Sequence, residues 1–180
     1  PDQPQPSQRY FESLLCRVLN QCVPGQPILV EAESNKIGNI HIPPAFWAAM
    51  RNAPAIKVTA PINARVNFLQ RDYAHLIKHP KIIMPLLSKL KYRHSTKQLA
   101  AWREMINRKE WRDFVKSLLK THYDPSYRRS GSTRMASETE IVAATTLNQD
   151  DIDRLAEVII AKSASMANST IDANSTRSNF

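Results

Sequence analysis

The chain has 180 residues, 42% of them apolar, and a net charge of +9; that is enough for one folded domain with a real core and too apolar for a chain disordered throughout. Only 3 glycines occur, against a usual share of roughly 7%, which excludes a complete glycine-rich phosphate loop, and no GxxxxGKS or GxxxxGKT is present. Cys16 and Cys22 form neither a CxxC nor a zinc spacing, and no signal sequence or long apolar span appears, so a soluble cytoplasmic protein with reduced thiols is expected.

Pro1 to Pro6 reads as a linker. Ser7 then caps a helix on which Phe11, Leu14, Leu15, Val18, Leu19 and Cys22 recur at helical spacing, closed by Val23-Pro24-Gly25. Pro27 to Glu31 is a short apolar run that predicts a buried parallel strand ending in acid. Residues 37–42 read as an irregular connection, and Pro43-Pro44 opens a short helix through Trp47 and Met50. Ala53 to Ala60 predicts a second strand. It leads into a helix whose stripe, Ile62, Val66, Leu69, Tyr73 and Leu76, is a packing face.

A short helix is expected around Leu86 to Leu90, between Pro85 and Ser95. Ser95 caps a helix carrying Leu99, Trp102 and Ile106 on one side. Trp111, Phe114, Val115, Leu118 and Leu119 mark the next apolar face, so these aromatics read as core before RNA contacts. Glu140 to Thr146 predicts a third strand, and Asn148 caps a last helix through Ile152, Leu155 and Ile159. From residue 163 to 180 the chain is rich in Ser, Thr, Asn and Ala without periodicity and reads as a disordered tail. Strands that alternate with helices predict an α/β domain with a parallel sheet, and further strands are expected before Pro1.

Charge is unevenly spread. Residues 51–134 hold 19 Lys and Arg against 5 Asp and Glu, a net of +14, while the rest of the chain stands at −5. Such a confined basic excess is the footprint of a polyanion partner. Tyr92, Trp102, Trp111, Phe114, Tyr123 and Tyr127 interleave with it. Arg103, Arg108, Lys109, Arg112, Lys116 and Lys120 lie mostly off the apolar stripes, and Arg128 and Arg129 follow, all candidates to face RNA.

Open parallel sheets bind ligands beyond the carboxyl ends of their strands. Glu31 and Glu33 hold that place on the first predicted strand, either as carboxylates that reach magnesium through water or as surface acids. Arg65, on the first turns after the second strand, is either a phosphate ligand or a solvent-facing arginine. No GxSxG or HExxH occurs, and the histidines are scattered, with His75 and His79 read as surface.

Four landmarks fall in a fixed order over residues 5–129. The first is Gln5-Pro6-Ser7-Gln8-Arg9-Tyr10-Phe11-Glu12-Ser13-Leu14-Leu15. The second is Val30-Glu31-Ala32-Glu33-Ser34 continued by Ile37-Gly38 and Ile42-Pro43. The third is Arg65, Leu69 and Tyr73, and the fourth is Tyr123-Asp124-Pro125 with Tyr127. Together they resemble the segment that follows the phosphate loop in tRNA 2-selenouridine synthases, with isoleucine at position 42 in place of the family's usual leucine.

The resemblance implies that residues 7–162 are the C-terminal part of a three-layer P-loop-type domain. It carries parallel strands and a basic helical insertion over about residues 61–129. It also implies an intact protein with a rhodanese-like domain and a phosphate loop upstream. That protein would replace sulfur by selenium in wobble 2-thiouridine of tRNA, with selenophosphate and geranyl diphosphate as substrates and an S-geranyl intermediate. Glu31, Glu33 and Arg65 become candidates for magnesium or diphosphate, and the basic stretch a candidate tRNA surface. The phosphate loop and the rhodanese cysteine have no counterpart here, so the chain alone is expected to be inactive, and the likeness fades after about Arg134. Two alternatives stand beside this reading: a stand-alone RNA-binding subunit, or a degenerate nucleotide-kinase-like domain for a small phosphorylated ligand. No membrane or DNA partner is expected.

Overall fold

The computed structural model describes residues 4–32, 34–131 and 139–177, with side chains described up to 127 and again over 139–167. The chain forms two compact units. One comprises Pro1–Lys57, Ser130–Val142 and Leu155–Phe180, the other Val58–Arg129 and Ala143–Arg154.

In the first unit, Ser7 is extended, and its Oγ accepts the N–H of Tyr10 at 3.3 Å, which starts helix α1, Gln8–Asn20. Phe11, Leu14, Leu15 and Leu19 are half-buried. Beyond α1 the expected strand is absent: residues 27–32 form no ladder, and Ile28, Leu29 and Val30 are 50%, 55% and 46% exposed. An apolar run becomes a buried strand only where neighbours take up its backbone groups, and no described strand lies against this one.

The stretch expected to be irregular is instead a hairpin. Strands β1, Lys36–Ile37, and β2, Ile40–His41, pair antiparallel with Lys36 opposite His41 and Ile37 opposite Ile40. Two glutamines hold it. Gln5 Nε2 donates to the Ile37 carbonyl at 2.7 Å while its Oε1 accepts from Asn39 N at 2.9 Å. Gln8 repeats the pattern on His41, donating to its carbonyl and accepting from its N–H, both at 2.8 Å. Each side-chain amide therefore serves the hairpin as a neighbouring peptide group would. Gly38 is at φ +61°, and a Cβ there would lie 2.5 Å from Gln5 Oε1, so a side chain at this position would strain the turn and push the glutamine amide off the hairpin. Helix α2, Pro44–Asn52, then begins with a proline at its first position, as expected.

Strands β3, Ala55–Thr59, and β4, Thr139–Ala143, form a two-stranded parallel sheet. The second and third predicted strands are thus present, the latter ending three residues early, and the expected three parallel strands are two among the described residues.

The second unit is helical. Helix α3, Ile62–Asp72, buries Ala64 and Val66 and is followed by α4, Ala74–Lys78, and α5, Ile83–Ser88. Tyr73 was expected in the packing stripe but is 46% exposed. It stands at the break between α3 and α4 with φ −99° and ψ 25°, where the helical register that defined the stripe has ended. A 3-10 turn, Lys89–Tyr92, leads to Ser95, whose Oγ accepts from Gln98 N at 3.2 Å and caps helix α6, Thr96–Asn107. Helix α7, Trp111–Leu118, runs into a π-helical turn, Leu119–Tyr123, and then helix α8, Asp124–Gly131.

The core of this unit is Ile83, Leu87, Leu99, Trp102, Ile106 and Phe114. Trp102 has no exposed surface. The helical periodicity located four of these six residues directly.

Residues 144–148, expected to finish the third strand, make a turn that caps the final helix α9, Gln149–Arg177. Asn148 Oδ1 accepts the N–H of Asp151 at 2.9 Å. Asp151 is 7% exposed, and its Oδ2 accepts the N–H groups of Thr145, Thr146 and Leu147 at 2.8–2.9 Å. Arg154 first, then those backbone donors, hold the Asp151 carboxyl well below the usual carboxylate range. Helix α9 also corrects the expected tail: its backbone continues past residue 163 to Arg177. Ser163 is buried and donates to the Ile160 carbonyl at 2.8 Å. Small residues such as Ala161, Ala164 and Ala167 show no apolar periodicity yet favour a helix.

Candidate functional site

The π-helical turn organises the polar chemistry of the helical unit. A π turn adds a residue to the helical repeat and re-aims the side chains that follow. Here it carries His122, whose Nδ1 lies 2.9 Å from Nε2 of His94. The His94 ring meets Trp102 edge-on with centroids 4.9 Å apart, and Trp102 Nε1 donates to Ser117 Oγ at 2.9 Å. Ser126 Oγ donates to the His122 carbonyl at 2.7 Å. The paired imidazoles therefore connect the buried indole to the start of α8.

Asp124, the first residue of α8, receives the Arg65 guanidinium from α3 in a two-point pair, Nη2 to Oδ1 at 2.6 Å and Nη1 to Oδ2 at 3.2 Å. Both side chains are about one-third exposed, 31% and 27%. Arg65 is thus oriented by a carboxylate rather than pointing freely to solvent. The pair engages two of the five donors of the guanidinium, and its partial exposure leaves it within reach of an anionic ligand.

Burial, then His94, then Arg93 lower the His122 pKa below its ordinary value of 6.5. A group of this kind stabilises the fold fully above the unfolded pKa, and the contribution is lost as the pH falls through the lower folded value. The melting temperature should accordingly drop between about pH 7.5 and about pH 5.5. His122→Asn, which cannot take up the proton, should flatten that dependence in a thermal melt followed by circular dichroism.

The remaining expected site residues fall as follows. Glu31 is exposed at the end of the run that forms no strand, and Glu33 lies outside the described residues. Among the described residues no group of three or more His, Cys, Asp and Glu is placed to hold a metal ion.

Arg103, Arg108, Lys109, Arg112 and Lys120 are exposed and Lys116 is half-buried. Arg108 pairs with Glu104 at 2.7 Å, and Arg112 donates to Asn67 Oδ1 at 2.7 Å. The side chains of Arg128 and Arg129 lie outside the described residues. His75 and His79 are exposed, as expected.

Sequence reading missed the His94–His122 pair and the partnership of Arg65 with Asp124. Residues 28 and 59 positions apart meet there, and only the fourth landmark had singled out Asp124. Among the described residues, no helix is long and apolar enough to cross a membrane.

Residues 2–84 match a protein-family model described as the AAA domain of tRNA 2-selenouridine synthase. Over that stretch the chain is similar to the tRNA 2-selenouridine synthases. The synthase of Chromohalobacter salexigens is 40% identical over 68 residues, which are 38% of this chain and 18% of that protein. The synthase of Nitrosomonas europaea is 37% identical over 73 residues, 39% of this chain and 19% of that protein. The matched part of the chain therefore spans about a fifth of the length of these curated relatives. No solved structure matches the chain.

The synthase match covers the glutamine-held hairpin and Arg65 but stops before α6. Gln5 and Gln8 belong to the first landmark and the hairpin to the second, so two segments of the synthase-like pattern are bonded to one another. In the same way Arg65, inside the match, is held by Asp124, outside it.

Proposed function

We propose that this chain is part of a tRNA-modifying transferase of the selenouridine-synthase type, with a P-loop-type domain, in which the basic helical unit docks tRNA. The observation that carries the reading is the synthase-like stretch 2–84 running into a region of 84 residues with a net charge of +14. In this proposal the whole protein replaces sulfur by selenium in wobble 2-thiouridine, taking selenium from selenophosphate by way of an S-geranyl intermediate formed with geranyl diphosphate.

Arg65, fixed by Asp124, supplies guanidinium donors to a diphosphate oxygen. A planar fork held in one orientation loses little freedom on meeting such an anion. The chain by itself lacks a phosphate loop and a rhodanese cysteine and is inactive in this scheme. It works with those segments of the same protein, in the cytoplasm.

Binding of tRNA to the purified chain across a salt series tests this. Micromolar or tighter binding at about 50 mM salt should weaken roughly a thousandfold by 200 mM if about six phosphates are neutralised, because released counterions set the slope. Absence of binding at low salt would sink the docking role. A tRNA lacking 2-thiouridine should bind equally well if phosphates dominate the contact.

A further inference from the structure

The longest acid-free stretch of the basic region ends at Arg103, the first of the candidate RNA-facing residues. From Tyr73 to Arg103 the chain has seven Lys and Arg and neither Asp nor Glu. At its centre is the 3-10 turn Lys89–Tyr92 followed by Arg93. Tyr92 is 86% exposed, the most exposed large hydrophobic side chain among the described residues. Lys91 Nζ lies 4.9 Å from the centre of its ring. Lys89, Lys91, Arg93 and Lys97 are all exposed, and among the described residues none of them forms an ion pair.

The turn is seated firmly. Leu87 is buried in the core, and Leu90 packs against the same cluster. The N–H groups of Arg93 and His94 both donate to the Leu90 carbonyl, at 2.9 and 3.1 Å, and His94 is tied to His122. An aromatic ring held outward on a rigid turn, at high cost in exposed apolar surface and ringed by unneutralised cations, suits a flat, anion-flanked partner. An unpaired nucleotide has that chemistry: a π-face to stack on the ring and a phosphate on each side. A base within a duplex does not, because both of its faces are covered by its neighbours.

We propose that the Lys89–Arg93 turn is a single-strand RNA contact, with Tyr92 stacking on an unpaired base and Lys89, Lys91, Arg93 and Lys97 taking the flanking phosphates. The inference rests on the tRNA-docking reading and deepens it, since it separates recognition of a loop from general attraction to phosphate.

The test compares the full chain and its Tyr92→Ala, Tyr92→Phe and Lys89→Gln/Lys91→Gln variants on an RNA stem–loop and on a blunt RNA duplex with the same number of phosphates. Tyr92→Ala should weaken stem–loop binding about tenfold, within the range of one lost stacking contact, and leave the salt slope and duplex binding unchanged. Tyr92→Phe keeps the π-face and should bind like the parent. The double lysine variant should weaken both RNAs and flatten the slope by about 2.

If the parent chain binds neither RNA, the docking reading falls and takes this proposal with it. If the parent binds and Tyr92→Ala is indistinguishable from it on the stem–loop, or loses equally on the duplex, only the stacking proposal is overturned. The exposed ring then serves a partner of another class.

Discussion

Trp102→Ala is expected to destabilise the helical unit by about 3–5 kcal/mol, the usual cost of emptying a large aromatic site in a core. Trp102 is fully buried at the centre of the Ile83, Leu87, Leu99, Ile106 and Phe114 cluster. The substitution removes the ring against which His94 packs and leaves Ser117 without its indole donor. Against a whole-domain stability of roughly 5–15 kcal/mol, such a loss brings the unit close to unfolding. Urea denaturation followed by circular dichroism measures it. Trp102→Phe fills much of the volume and forfeits the hydrogen bond to Ser117, a smaller loss of about 1 kcal/mol beyond imperfect packing. A Trp102→Ala protein that unfolds at the parent's urea midpoint would show that this core is organised around something else.

The same residue marks how far sequence alone can lead. Leu99, Trp102 and Ile106 recur at helical spacing, so a buried face was legible without coordinates, and all three are buried. Caps were legible for a similar reason: Ser7, Ser95 and Asn148 act through neighbours three residues away, and each makes the bond its position implied. Pro27 to Glu31 was not legible in this way. An apolar run states that a strand is possible, while the ladder that realises it depends on residues remote in sequence, and the described chain places none beside it. The two glutamines on the hairpin escaped reading because their role is to imitate backbone, which leaves no periodic trace. The site followed the same division. Arg65 was singled out by its place after a strand, but its partner Asp124 lies beyond four intervening α-helices. The meeting of His94 with His122 requires a π turn that no pattern of apolar residues announces.

Neutralising the cations that have no side-chain partner should have the largest effect on RNA affinity. Of the six described candidates, Arg108 is already paired with Glu104 and Arg112 with Asn67. A cation engaged by a carboxylate gathers fewer phosphates and contributes less to counterion release. Arg103, Lys109, Lys116 and Lys120 make no such side-chain bond among the described residues, and their charge is available to a polyanion. A variant combining Arg103→Gln, Lys116→Gln and Lys120→Gln with Lys109→Asn should bind tRNA about a hundredfold more weakly near 100 mM salt. Its salt slope should flatten by about 3 to 4, since each phosphate contact contributes close to one. Asparagine is chosen at 109 because Lys109 has φ +59°, a left-handed conformation that asparagine tolerates better than most residues. The fold should be little disturbed, surface substitutions of this kind changing stability by about 0.5 kcal/mol or less each. Arg108→Gln serves as the comparison and should cost less affinity than the average per charge in that variant, because the Glu104 carboxylate already offsets it. Equal losses per charge in the two variants would mean that the long-range field of the whole basic stretch, rather than the unpaired cations on α6, α7 and the π turn, sets the affinity.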